Sequence, residues 1–305
     1  MTPAADAFAT QRAEVGGGLS LAYVREGAGG HPLLLLHGYP ETKRIWWRNI
    51  GPLAEAGFEV IVPDLRGFGD SDLASDGRYD VAAHARDAYA LVHDVLGHER
   101  CATVSGDLGG AVAQDLGLRF PGFVERQCIF NTVLPYLADD YEKAGIPVER
   151  ERTHRPELDY FLRQATDADA LAAELDTPAR RRAYIADFYG HRFWAAPATF
   201  TRDDVDFMTE PFADGEKLRA SFANYEYATG NRPMVEMVHF FEKNPIPTLV
   251  LYGPEDHVVP DDFLPKAAVA FTECIGPFVV PGAGHFLQWE RADALNQAVK
   301  YFLRP

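Results

Sequence analysis

Cysteine is scarce, basic residues are outnumbered, and no apolar run is long. The three cysteines, Cys101, Cys128 and Cys274, are scattered over 305 residues with neither CxxC nor Cys/His spacing. That pattern supports no disulfide framework and no zinc site; Cys101 and Cys128 border apolar runs and read as small core residues. Lys and Arg number 29 against 45 Asp and Glu, a formal charge of −16. Such a surface repels nucleic acid and anionic membranes. No stretch is long enough to cross a bilayer, and the opening MTPAADAFATQRAEVGGG has no apolar signal core, so a reducing cytoplasm is the expected setting. There is no GxGxxG after a strand, no phosphate loop and no metal cluster, so no metal, nucleotide or organic cofactor is implied.

What is present is a globular composition, 47% hydrophobic, with 26 Gly and 21 Pro spread along the chain. Strand-like and helix-like segments alternate. EVGGGLSLAYVREG reads as a hairpin around three glycines, and PLLLLHG and FEVIVPD as buried strands. Ala85, Ala88, Tyr89, Val92 and Leu96 fall at helical spacing before a stop at Gly97. CATVS, a helix over 110–120 and RQCIFN follow. The pattern resumes with IPTLVLYG, a helix near 262–271, GPFVVPG and a terminal helix over 285–302. The alternation predicts an α/β fold with a mostly parallel sheet and helices on both faces. Between Pro135 and Asn244 the pattern breaks into helical, charged and aromatic segments. About 110 residues are too many for a loop. The expected organisation is one core, 1–134 with 245–305, carrying an inserted helical cap, 135–244, over the carboxyl ends of the strands.

One corner of that core carries chemistry. In VSGDLGGAVAQDLGLRF the strand CATV turns abruptly into a helix, with Asp107 at the tip. A nucleophile elbow of this kind needs small residues two before and two after the reactive side chain. Ser105 and Gly109 satisfy that around Asp107, whereas centring on Ser105 puts the β-branched Thr103 in the flank. Asp107 as a plain helix N-cap is the bland alternative. Its company argues otherwise. Asp256 follows the buried strand of LVLYGPEDHVVP, His285 sits in the glycine loop of VVPGAGHF, and nucleophile, acid and histidine come in that order. The strand of LLLLHGYP ends at a loop whose backbone N–H, at Tyr39, is expected to pair with that of Leu108 as an oxyanion hole.

HGYP at 37–40, DLRGFGDS at 64–71, SGDLGG at 105–110, GPEDHV at 253–258 and GAGH at 282–285, in this order, resemble the α/β-hydrolase fold with its eight-stranded sheet, and within it the epoxide hydrolases. An aspartate at the elbow narrows the resemblance to enzymes that attack an sp³ carbon. Serine attacking an epoxide would leave an ether; a carboxylate forms an ester, which water cleaves, and it needs no base to be charged. The resemblance then implies His285 as activator of water, with Asp256 orienting it. LDYFLRQ and FANYEYA resemble the segments that carry two ring-opening tyrosines, here Tyr160 and Tyr225, with Tyr227, Tyr184 and Tyr189 as substitutes.

The sequence departs from the family around the nucleophile. Gly106 and Leu108 stand where epoxide hydrolases often have His and Trp, and neither the halide-binding tryptophan nor the carboxylate-binding arginine of dehalogenases follows Asp107. Glu226 follows Tyr225 where arginine is common. The expectation is hydrolysis of a small-molecule epoxide to a vicinal diol, without nucleic-acid or membrane partners and with a homodimer left open. A dehalogenase on the same framework is the enzymatic alternative, and a ligand sensor that kept the fold is the non-enzymatic one. Asp64 and Ser71 read as loop anchors, and Asn131 as a neutral residue that leaves Asp256 as the acid. Trp46 and Trp47 are expected near the cap boundary, and His84, His93, His98, His191 and His257 at the surface.

Overall fold

A computed structural model describes residues 2, 4–148, 159–190, 192 and 194–304. Eight strands form one sheet: β1 (Thr10–Glu14), β2 (Ser20–Glu26), β3 (His31–Leu36), β4 (Phe58–Pro63), β5 (Cys101–Gly106), β6 (Val124–Phe130), β7 (Thr248–Tyr252) and β8 (Cys274–Val279). Their spatial order is β1-β2-β4-β3-β5-β6-β7-β8. The first two strands are the expected glycine hairpin and pair antiparallel; from β4 onward every neighbour is parallel. Parallel strands must be covered on both faces, and β4 and β5 are buried along their whole length.

Helices α1 (Ile50–Ala54), α2 (Val81–Tyr89), α3 (Asp107–Arg119), α10 (Phe263–Ala270), α11 (Leu287–Glu290) and α12 (Ala292–Phe302) supply that cover. α1 packs with α12, and α2 with α3. Asp80 caps α2, accepting the Ala83 N–H at 2.9 Å. Its last part widens into a π turn over Ala90–Val95 before Gly97 ends it at φ +78°. Three local expectations need correcting. α3 begins at Asp107, not at residue 110, because the glycines after the corner are already helical. The terminal helix is two helices separated at Arg291, and His285 precedes both. His84 is fully buried, on the face of α2 turned toward Phe68, and burial lowers its pKa to about 3. His93 and His98 are half-buried, His257 is exposed, and His191 lies outside the described residues.

Between β6 and β7 the described chain is helical: α4 (Ala138–Lys143), α5 (Asp159–Thr166), α6 (Ala168–Glu174), α7 (Pro178–Gly190), α8 (Arg202–Thr209) and α9 (Gly215–Ala228). α5 and α6 pack on α9, and α7 on α8. Thr201 and Asp204 form a reciprocal capping box at the start of α8. Trp47 meets Phe207 of α8 edge-on at 6.2 Å. Trp46 is buried against Phe130. Among the described residues no helix is long and apolar enough to cross a membrane.

Candidate active site

Because the strands from β3 onward run parallel, the residues that follow their carboxyl ends meet along one edge of the sheet. Tyr39 follows β3, Asp107 follows β5, Asn131 follows β6, Asp256 follows β7 and His285 follows β8. Asp107 stands in the left-handed region at φ +45°. A non-glycine residue there costs on the order of 1–3 kcal/mol. Fixed bonds on both sides of it offset the cost: its N–H donates to Asn131 O at 3.1 Å, and the Thr132 hydroxyl donates to its carbonyl at 2.5 Å. The small neighbours have steric reasons. A Cβ on Gly109 would lie 2.3 Å from the Leu36 carbonyl, and one on Gly38 would lie 2.4 Å from Asp107 Cβ.

The two carboxylate oxygens of Asp107 face different partners. Oδ1 accepts the Tyr39 N–H at 2.7 Å. Oδ2 stands 3.3 Å from His285 Nε2. Leu108 follows as the next residue of α3; among the described hydrogen bonds, none joins its N–H to the Asp107 carboxylate. The Gly38–Tyr39 peptide is held at its other end by His37, whose Nε2 accepts the Leu65 N–H at 3.0 Å. Nδ1 therefore carries the proton and donates to Gly38 O at 2.9 Å.

His285 is buried, and its Nδ1 lies 2.9 Å from Asp256 Oδ2. Asp256 is fixed in turn: Oδ2 accepts Asn131 Nδ2 at 2.8 Å, and Oδ1 accepts the N–H groups of Val258 at 2.7 Å and Val259 at 3.2 Å. Burial alone would lower the His285 pKa, but the adjacent Asp256 and Asp107 carboxylates outweigh it and raise the pKa well above 6.5. Asp107→Asn removes one of those charges and should lower the His285 pKa. An NMR titration of the imidazole in both proteins checks this, and identical titrations would refute the electrostatic coupling.

Opposite the carboxylate, α5 and α9 bring Tyr160 and Tyr225 together, their rings edge to face at 5.6 Å and their hydroxyls within hydrogen-bonding reach of each other. Burial first, with the Asp107 charge adding to it, raises both phenols well above pKa 10. Both hydroxyls therefore keep their protons near neutral pH. The substitute tyrosines are committed elsewhere. Tyr189 donates to Pro40 O at 2.5 Å, Tyr184 accepts from Gln164 at 2.8 Å, and the Tyr227 ring lies beneath Arg232. Glu226, next to Tyr225, turns away to pair with Arg219 at 2.8 Å. Trp194 closes the group, its ring 4.8 Å from that of His285 and 5.1 Å from that of Tyr160.

A family model described as the alpha/beta hydrolase fold matches residues 31–292. The chain belongs to the α/β-hydrolase fold family. This α/β-hydrolase is 28% identical to the soluble epoxide hydrolase of Corynebacterium sp. (strain C12), over 93% of this chain and 94% of that protein. It is also 27% identical to the haloalkane dehalogenase of Bradyrhizobium diazoefficiens, over 92% and 90%. Among solved structures, the epoxide hydrolase CorEH without ligand shares the fold with a TM-score of 0.80 at 23% identity, covering 97% of this chain and all of the other.

Several buried residues of this α/β-hydrolase site have no motif that singles them out. Glu41 accepts the Gly38 N–H at 2.5 Å and Gln288 Nε2 at 2.8 Å, and burial pushes its pKa up to about 7. It braces the loop that carries the Tyr39 N–H. Asn131, noted in the sequence only as unfit to be the acid, bonds Asp256, Gly253 and Gly284 at once. The loop anchors behave as expected: Asp64 accepts from Lys43 Nζ at 2.6 Å, and Ser71 accepts the Ala22 N–H at 2.8 Å.

Proposed function

We propose that this α/β-hydrolase is an epoxide hydrolase, working through an alkyl ester on Asp107 with residues 135–244 as a cap over the reacting groups. One arrangement carries the reading: a carboxylate held by an N–H on one oxygen, with a paired histidine beside the other, under two buried phenols. Asp107 Oδ2 attacks an epoxide carbon, and that C–O bond breaks as the new one forms. The departing oxygen stays attached to the product and takes a proton from the Tyr160–Tyr225 pair, since an alkoxide is a stronger base than a phenolate. Esterification removes the Asp107 charge, and with it one of the causes that raise the His285 pKa. The imidazolium then gives up its proton, through solvent, to the phenolate that ring opening left, and the neutral ring becomes a base.

His285 next takes a proton from water while Asp256 stabilises the imidazolium, and the hydroxide adds to Asp107 Cγ. The Tyr39 N–H, with that of Leu108, receives the negative charge at Oδ1. Collapse breaks the bond between Asp107 Cγ and the second product oxygen, which takes the proton from His285; the proton left on the new Asp107 carboxyl then passes to His285 and restores the ion pair. Epoxide and water are consumed and one vicinal diol leaves.

A haloalkane dehalogenase is the second reading. The relative at 27% identity favours it, as does the buried indole Nε1 of Trp194, which has no hydrogen-bond partner among the described residues. Two phenols suit an oxygen leaving group better than a halide, which needs no proton. A panel of terminal epoxides, haloalkanes and haloacids separates the two. Diol formation without halide release is expected, and halide release without diol formation would reverse the assignment.

A further inference from the structure

Glu290, the last residue of α11, has no part in the chemistry above, yet its carboxylate gathers three backbone N–H groups. Oε2 accepts those of Gly284 at 2.8 Å and Ala196 at 2.7 Å, and Oε1 accepts that of Phe286 at 2.9 Å. The Thr199 hydroxyl adds a longer contact to Oε2 at 3.3 Å. Gly284 and Phe286 are the two chain neighbours of His285. The N–H between them, that of His285 itself, donates to Trp194 O at 2.7 Å. Three consecutive amides of the histidine loop are thus engaged, two by Glu290 and one by the segment between α7 and α8.

That segment and the loop touch backbone to backbone. A Cβ at Gly284 would lie 2.5 Å from both Trp194 O and Ala196 N, so only glycine admits the contact. The same segment carries the Trp194 ring that meets both His285 and Tyr160. A carboxylate is acceptor-only, and here all its bonds are to donors. Burial raises the Glu290 pKa to about 7 despite those donors.

We propose that Glu290 is a positioning residue that clamps the 284–286 loop to the 194–199 segment, so that the seating of the helical region sets the place of the His285 ring. The proposal rests on His285 serving hydrolysis of an ester on Asp107. Glu290→Gln puts an amide N–H₂ among donors, leaving a buried N–H without an acceptor and freeing one side of the clamp. A displacement of about 1 Å at a reacting group costs on the order of 10²-fold in rate.

The test is single-turnover kinetics on the full chain with a terminal epoxide, following gain and loss of the adduct on Asp107 by intact mass, alongside thermal unfolding. Glu290→Gln should slow adduct loss by about 10²-fold while adduct formation changes little, and Glu290→Asp, which keeps an acceptor, should slow it less. Equal slowing of both steps, or adduct loss at the wild-type rate in a folded Glu290→Gln protein, would overturn the proposal. If Glu290→Gln does not fold, Glu290→Asp decides alone: selective slowing of adduct loss supports the clamp, and an unchanged ratio of the two rates overturns it. Failure of the ester reading itself looks different, since no adduct would then form in any variant, including His285→Gln.

Discussion

Replacing His285 by glutamine should leave the protein with its substrate attached. Asp107 needs no base to attack, so adduct formation proceeds, while water loses the group that takes its proton. General-base catalysis is worth about 10² to 10⁴ in rate; a fall of about 10³-fold in diol turnover is therefore expected, with the adduct persisting on Asp107. The geometry makes the division of labour specific. Nε2 lies 3.3 Å from the Asp107 carboxylate, and Nδ1 is held by an Asp256 already bonded to Asn131 and two backbone amides. Glutamine fills similar space but cannot become a cation. Intact-protein mass spectrometry after mixing with epoxide checks this, and a variant that neither turns over nor gains a substrate-sized mass would separate His285 from the hydrolytic step.

The second large effect belongs to the other half of the reaction. Tyr160→Phe with Tyr225→Phe removes both hydroxyls and leaves the rings. Losing one donor to a developing oxyanion costs on the order of 10² to 10³, and the double variant should lose at least the larger figure in adduct formation. The two losses will not add, because the hydroxyls lie within reach of each other and one takes over part of the other's role. Packing should survive, since Tyr160 meets Phe188 and Trp194 through its ring at 5.1 Å in both cases. Burst-phase measurement of adduct gain reads the effect directly. Wild-type rates in the double variant would remove both tyrosines from the site.

What could be read from the sequence follows from how locally each feature is determined. The corner at Asp107 was legible because the small residues Ser105, Gly109 and Gly110 lie within five residues of one another around it, a local pattern. His285 was legible because a glycine loop after a strand is a local pattern, and the mostly parallel sheet followed from the alternation of apolar runs with helical periods. The supporting layer was not. Asn131 and Glu290 act by reaching backbone amides 122 and 94 residues away in the chain, and Glu41 meets the Gln288 side chain, 247 residues away. His84 has no local mark of burial; it is buried against Phe68, which follows β4. The glycines at 109 and 110 hid the first turn of α3, since they read as a loop while serving as close contacts for Leu36 and Thr132.

The most direct measurement is oxygen transfer. After several turnovers of an epoxide in ¹⁸O-water, the peptide containing Asp107 should carry the heavy isotope in that carboxylate, and a single turnover should give diol whose new oxygen is ¹⁶O from the enzyme. Diol that accumulates with Asp107 unlabelled, its new oxygen drawn from solvent at the first turnover, would mean that water attacks the substrate directly and no ester forms.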